Sequence, residues 1–423
     1  ASDVYKRQIL FVVIIVLAFW RKTNIGILAF AAALILGRII GMTDKEIVKG
    51  LSASLFVTLT GITLLFSAVN ETGALEMISG KITSLAGKRI WILPITCYLV
   101  GFVLALIGPG AIPPTTLAVT ISVSMAIAAG YNPVMMGVIA GMGLMGGRVS
   151  SITPEGNLVL TLAAEQNISG AVIAPVLLFQ VVTTVIFALG IFFIFKGHKV
   201  KAVAFEGGSE IKSKASTKQI IALLGIVVML VMVTVFKFDT GLSAFIIAGI
   251  LFLFNLVDDR AAIKKVPWNP ILMILGVGIF MNVVKNAGGI DLLCNLLSSF
   301  MNKTTAAPFT GVTAGIMSLV SSGFGVVMPT LIPMASQIAE SVGGANAVAI
   351  IGAVVAGGSL AGISPMSTNG AMTLSCIAAI KNDLTKEEQS KMFAQLLLAA
   401  FCAIVWVGVS TALFGNLCVA IFS

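Results

Sequence analysis

A polar, helix-breaking segment, Gly146-Gly147-Arg148-Val149-Ser150-Ser151-Ile152-Thr153-Pro154-Glu155-Gly156-Asn157, is set between the apolar runs 134–145 and 158–164. Inside a bilayer every backbone N–H and C=O needs a partner, so irregular backbone persists there only where protein or a water-filled cavity covers it. An arginine and a glutamate at that depth mark a functional site by default. About two hundred residues later the chain repeats the device with Gly357-Gly358-Ser359-Leu360-Ala361-Gly362-Ile363-Ser364-Pro365-Met366-Ser367-Thr368-Asn369-Gly370.

Composition establishes that these runs belong to a membrane protein. Apolar residues make up 58% of the chain and charged residues 10%, which describes an all-α integral membrane protein. The net charge of +9 does not indicate a nucleic-acid partner, because the lysines and arginines fall in short loops between apolar runs. Cys97, Cys294, Cys376, Cys402 and Cys418 have neither paired nor metal-ligand spacing and read as small apolar fillers. The single histidine, His198, excludes a histidine metal centre or an HExxH protease. No nucleophile–base constellation appears, so the chain does not read as an enzyme.

Residues 1–8, with Asp3-Val4-Tyr5-Lys6-Arg7-Gln8, look like a translated adapter read and are expected to be non-native, the true start being absent. The remaining apolar runs predict spans at 9–20, 25–40, 55–69 and 171–195 in a first half covering 9–196. Within it, run 90–129 is interrupted at Gly108–Pro114, and 134–164 is broken at the motif above. The polar, basic stretch 197–218 reads as a linker. The second half, 219–423, has spans at 220–236, 242–257, 271–284 and 392–421. Its interrupted run is 306–342, broken at Ser321–Gly325, and its broken span is 347–380.

The halves resemble each other locally. Asn70 and Asn286, Gly73 and Gly289, and Pro113 and Pro329 are each 216 apart; Asn132 and Asn346 are 214 apart, and Asn157 and Asn369 are 212 apart. Treating each interrupted run as a re-entrant hairpin leaves five crossings per half, an odd number, so the repeats are inverted. That arrangement gathers most of the lysines and arginines on one side, including Arg21, Lys22, Lys88, Arg89 and those of the linker, which is therefore cytoplasmic. Paired broken helices of this kind point to the binding site of a secondary transporter.

The chemistry follows from the breaks. Exposed carbonyls and Ser, Thr and Asn oxygens can replace the hydration shell of a sodium ion, and half-helix N-termini attract an anion. The first half contributes Gly108, Gly110, Thr115, Ser150, Ser151, Thr153 and Asn157; the second contributes Ser321, Ser322, Gly323, Thr330, Ser364, Ser367, Thr368 and Asn369. Cation binding is expected at Gly108, Ser150, Thr153, Asn157, Ser321, Gly323, Ser364, Thr368 and Asn369. Substrate contact is expected at Arg148, Gly110, Thr115, Ser151, Thr153, Asn157, Ser322, Thr330, Ser367, Thr368 and Asn369. Arg148 offers a planar fork for a carboxylate, or else a structural ion pair with Glu155. Glu155 serves that pair or carries a proton. Glu71, Glu76 and Asp291, just past helix ends, read as solvated interface charges.

The layout resembles the ion transporter superfamily, whose divalent-anion/sodium symporters carry Gly-Gly…Thr-Pro…Asn loops. Here Gly146-Gly147…Thr153-Pro154-Glu155-Gly156-Asn157 and Ser364-Pro365-Met366-Ser367-Thr368-Asn369 correspond to those loops, while the tips at Gly108–Pro113 and Ser321–Gly325 depart from that group's Ser-Asn-Thr. The chain more closely resembles the bacterial malonate/dicarboxylate carriers (the MatC type). That likeness rests on Arg21-Lys22-Thr23-Asn24-Ile25-Gly26, Ala33-Leu34-Ile35-Leu36-Gly37-Arg38, Gly73-Ala74-Leu75-Glu76 and Gly108-Pro109-Gly110-Ala111-Ile112-Pro113. It implies uptake of a small dicarboxylate coupled to Na+ or H+, with no organic cofactor. The expected setting is the bacterial inner membrane, as a homodimer with elevator-type alternating access. The alternatives are a Na+/H+ antiporter of the same superfamily and the membrane subunit of a binding-protein-dependent carboxylate transporter.

Overall fold

An apolar run in a bilayer can pair its backbone within itself only as a helix, and among the described residues every regular element is helical. The computed structural model describes residues 24–75, 77, 78, 81, 90–108, 112–168, 171–200, 216–381 and 384–422. The expected N-terminal string, the span 9–20, Glu76, Gly110 and most of the linker lie outside the described residues.

The first half comprises α1 (Ile25–Ile39), α2 (Asp44–Val48), α3 (Ala53–Glu71), α4 (Leu93–Leu106), α5 (Ile112–Ala129), α6 (Pro133–Gly147), α7 (Pro154–Ala164) and α8 (Ile173–Ile194). The second half begins with α9 (Thr217–Thr234), α10 (Thr240–Leu253), α11 (Asp259–Lys265), α12 (Trp268–Asn286) and α13 (Gly289–Ser298). It continues with α14 (Ala306–Val320), α15 (Met328–Leu331), α16 (Ala335–Ser341), α17 (Ala347–Leu360), α18 (Thr368–Ile380), α19 (Lys386–Ser410) and α20 (Asn416–Ala420). Among the described residues, four helical stretches, Ala53–Glu71, Ile173–Ile194, Trp268–Asn286 and Lys386–Ala420, are long and apolar enough to cross a bilayer.

Several boundaries depart from the expected spans for local reasons. The short helices α2 and α11 occupy stretches read as loops, each started by a side-chain cap: Thr43 with Glu46 in a capping box, and Asp258 accepting from the Arg260 amide. The last span begins at Lys386, because the Thr385 hydroxyl and the Glu388 carboxylate close another capping box there. The same reciprocal bonds hold the Glu46 carboxyl below its usual range, the backbone bond from Thr43 being the largest cause. Glu71 is not simply solvated, since it forms an ion pair with Lys265 that ties α11 to α3.

The two halves exchange helices reciprocally. α1 of the first half packs on α12 of the second, and α10 of the second packs on α3 of the first. Both crossings are made by glycine against backbone. A Cβ on Gly26 would lie 2.2 Å from the Leu272 carbonyl oxygen, and one on Gly61 would lie 2.3 Å from that of Gly241. Gly26 and Gly241 are 215 residues apart, as are Gly61 and Gly276. Within each half, α4 packs along α6 and α14 along α17. Asn132 and Asn346 begin α6 and α17 in the same way, each side-chain oxygen accepting two amide hydrogens of the first turn.

Candidate functional site

Each broken span folds as two α-helices joined by a short link, α6 to α7 and α17 to α18, the second link opening with a 3-10 turn at Ala361–Ile363. Proline and glycine open the helix, and side-chain hydroxyls take over the released backbone groups. In the first link the Thr153 hydroxyl accepts from the Ser150 amide (3.0 Å) and the Gly156 amide (3.1 Å) and donates to the Ser150 carbonyl (2.9 Å). In the second link the Ser367 hydroxyl lies 2.9 Å from the Ser364 carbonyl and also against that of Gly362. A Cβ on Gly156 would lie 1.7 Å from the Ser150 carbonyl oxygen, and one on Gly370 would lie 2.2 Å from that of Ser364.

These bonds fix how the links correspond. Ser150 matches Ser364, Thr153 matches Ser367, and Gly156 matches Gly370, all 214 apart. Glu155 therefore corresponds to Asn369. The sequence pairing of Asn157 with Asn369 is displaced by two residues. Asn157 instead ties down its own link, its side-chain nitrogen donating to the Ser151 (3.0 Å) and Thr153 (2.9 Å) carbonyls.

Arg148 sits at the C-terminal end of α6, 5% exposed, and Glu155 lies in the first turn of α7, 0% exposed. Arg148 Nη2 is 3.1 Å from Glu155 Oε1. Its Nη1 reaches Met145 Sδ (3.1 Å) and the Ser359 hydroxyl (3.5 Å). Met145 and Ser359 are 214 residues apart, so one guanidinium touches equivalent points of both halves. Gln180 on α8 donates to the same Ser359 hydroxyl at 3.2 Å. Arg148 Nε, Glu155 Oε2, Gln180 Oε1 and both polar atoms of the Asn369 amide are buried with no hydrogen-bond partner among the described residues. Leaving such groups unpaired in a low-dielectric interior is costly, so each of them gains from a bound polar species.

The interrupted runs approach the broken spans at their breaks, in the first half at the link and in the second at the last turn of α17. The Ser150 hydroxyl donates to the Leu106 carbonyl at the end of α4 (3.1 Å), and Gly108, at φ +113, lies two residues on. In the second half the Ser318 hydroxyl donates to the Gly358 carbonyl (2.8 Å), and a Cβ on Gly323 would lie 1.8 Å from that same oxygen. Most of the predicted hydroxyl ligands are engaged by nearby backbone. Ser321 donates to Met317, Ser322 accepts from Gly325, Thr330 donates to Val326, and Ser364 accepts from Met366. Thr115 is buried on α5. The Thr368 side chain lies outside what is described, although its backbone opens α18.

Ser359 and Gln180 are the residues that sequence reasoning missed. Gln180 is fully buried in the otherwise apolar helix Ile173–Ile194, beside the equally buried Thr183 and Thr184. Three neighbouring polar residues in a spanning helix face protein rather than lipid, and that signal was present in the sequence.

The profile of the citrate transporter family (CitMHS) matches residues 15–358. This chain belongs to that family. Its membership and its apolar helices make it a multi-pass membrane transporter of the ion transporter superfamily. Among solved structures, the fold is similar to that of the YdaH transporter of Alcanivorax borkumensis, a protein of unusual topology. The TM-score is 0.61 at 11% identity, over 90% of this chain and 88% of that one. At that identity the likeness concerns the fold alone. No curated protein matches the sequence.

Proposed function

We propose that this member of the citrate transporter family is a secondary active carrier that imports a small di- or tricarboxylate of the malonate, C4-dicarboxylate or citrate class, coupled to Na+ or H+. The observation that carries the reading is Arg148, a buried guanidinium at the break of α6 whose Nε has no partner among the described residues while Nη2 holds Glu155. A carboxylate approaching the Nε edge gains a charge-assisted bond without breaking the ion pair. The unpartnered amide of Asn369, at the matching place in the second half, supplies a donor and an acceptor to the rest of the anion.

The wider mechanism is part of the proposal. The reciprocal helix exchange supports two inverted repeats, and the contacts of Leu106 with the first link and of Gly323 with the last turn of α17 support two re-entrant hairpins. Alternating access of the elevator type then carries both links together. The bacterial inner membrane, a cytoplasmic linker and a homodimer complete the picture.

Purified protein in proteoliposomes is expected to accumulate radiolabelled malonate, succinate or citrate when a Na+ or pH gradient is imposed, and the effective gradient names the coupling ion. Na+-driven proton movement without anion uptake would instead establish an antiporter. Uptake only with an added binding protein would establish a transporter subunit. Asn369→Leu, close in volume and without the amide, is expected to raise the KM for the anion by about tenfold, the effect of losing one or two hydrogen bonds to a charged ligand. An unchanged KM removes Asn369 from the anion site.

A further inference from the structure

The second interrupted run contains Pro333, which has no amide hydrogen and whose ring displaces the carbonyl four residues earlier. The chain there tightens into the turn Ile332–Met334 before resuming as α16. In a regular helix the Ser336 amide would bond to the Ile332 carbonyl. Here it donates to Gln166 Oε1 at 3.0 Å, while Gln166 Nε2 donates to the Ile332 carbonyl at 2.7 Å. A side-chain amide from the first half stands where the backbone bond would have been. Nε2 also donates to the Leu162 carbonyl in the last turn of α7 at 2.8 Å. Two carbonyls can only accept and one N–H can only donate, so these three partners fix the orientation of the amide.

The position matters because of what each limb carries. Gln166 lies just beyond the C-terminal end of α7, whose N-terminus presents Thr153 and Glu155. Ile332 lies on the limb that descends from the break at Ser321 and Ser322. We infer that Gln166 is a positioning residue that splices α7 into the Pro333 kink, so that the two limbs move as one body and the breaks at 150–157 and 321–330 keep their relative placement. The splice goes beyond the proposed transport activity, and only its effect on anion affinity rests on that reading.

Amide hydrogen exchange on the purified full chain reads the splice without any substrate. Gln166→Leu keeps the side chain's bulk and removes its three bonds, and exchange at the Ser336 amide is expected to quicken by about tenfold. The Ile332 carbonyl already accepts from the Ala335 amide in the tightened turn. Pro333→Ala restores an amide hydrogen and relieves the clash with the Pro329 carbonyl, so the run can relax to a regular helix in which the Ser336 amide bonds to the Ile332 carbonyl. On that background Gln166→Leu is expected to change Ser336 exchange by less than about twofold, a non-additivity that contact in a shared element produces. Equal effects on both backgrounds, or unchanged Ser336 exchange in Gln166→Leu, overturn the splice. In uptake assays Gln166→Leu is expected to raise the KM several-fold at near-constant Vmax per folded molecule, and Pro333→Ala, which repairs the backbone of one limb but not its tie to α7, is expected to leave that rise in place. An unaltered KM overturns the claim that the splice holds the two breaks in register. If wild-type protein takes up no carboxylate, the transport proposal fails while the exchange result still judges the splice.

Discussion

Glu155→Leu is expected to destabilise the protein by about 3–5 kcal/mol, the cost of removing one partner of a buried ion pair and leaving the other charged. The Arg148 and Glu155 side chains are 6% and 1% exposed, so Arg148 has no recourse to solvent once the carboxylate is gone. Arg148→Met is expected to cost a comparable amount. The double variant, Arg148→Met with Glu155→Leu, replaces both charges by apolar groups of similar volume, and its thermal midpoint in detergent is expected to lie near that of the wild type. Such a result would show that the pair is not kept for stability. Uptake then separates the roles of Arg148. A folded double variant with no anion transport places the guanidinium in the binding site, whereas one that transports with an unchanged KM leaves it a structural cation.

The elements around this pair were legible to different degrees, for physical reasons. The two links could be read from the sequence because proline and glycine remove backbone hydrogen bonds, a local effect that Gly146–Asn157 and Gly357–Gly370 carry within themselves. The ion pair was legible as one of two choices, since Arg148 and Glu155 lie seven residues apart across the break. The correspondence of Glu155 with Asn369 was not. A shared letter, asparagine, suggested a different register, and only the bonds of Thr153 and Ser367 to the Ser150 and Ser364 carbonyls expose the true one. Gln180 could have been suspected from its polar neighbours Thr183 and Thr184 in an apolar helix, but its partner Ser359 is neutral and 179 residues away, so no spacing rule finds the pair. Gln166 is harder still, because its bonding partners come within reach only once α7 has been laid beside the Pro333 kink.

Substitution at the glycine crossings is expected to have the other large effect. Helices in a bilayer gain nothing from hydrophobic exclusion of one another, so their association depends on close backbone approach at small residues. A Cβ on Gly143 would lie 2.0 Å from the Tyr98 carbonyl oxygen, and one on Gly357 would lie 2.1 Å from that of Gly311. Those neighbours are helix backbone, which cannot rotate away as a side chain can. Gly143→Ala and Gly357→Ala must therefore spread α4 from α6 and α14 from α17, at an expected cost of about 3 kcal/mol each, the upper part of the range for overpacking. Gly190 and Gly249 provide the contrast, since a Cβ added at either meets nothing within 4 Å. Both lie inside helices, so Gly190→Ala and Gly249→Ala are expected to be neutral or to stabilise by up to about 1 kcal/mol through helix propensity. Thermal melts of the four variants in one detergent make the comparison. Gly143 and Gly357 are 214 residues apart, so matching losses at the two would show that both halves rely on the same crossing. A wild-type midpoint for either would mean that its helix pair separates more readily than the backbone contact implies.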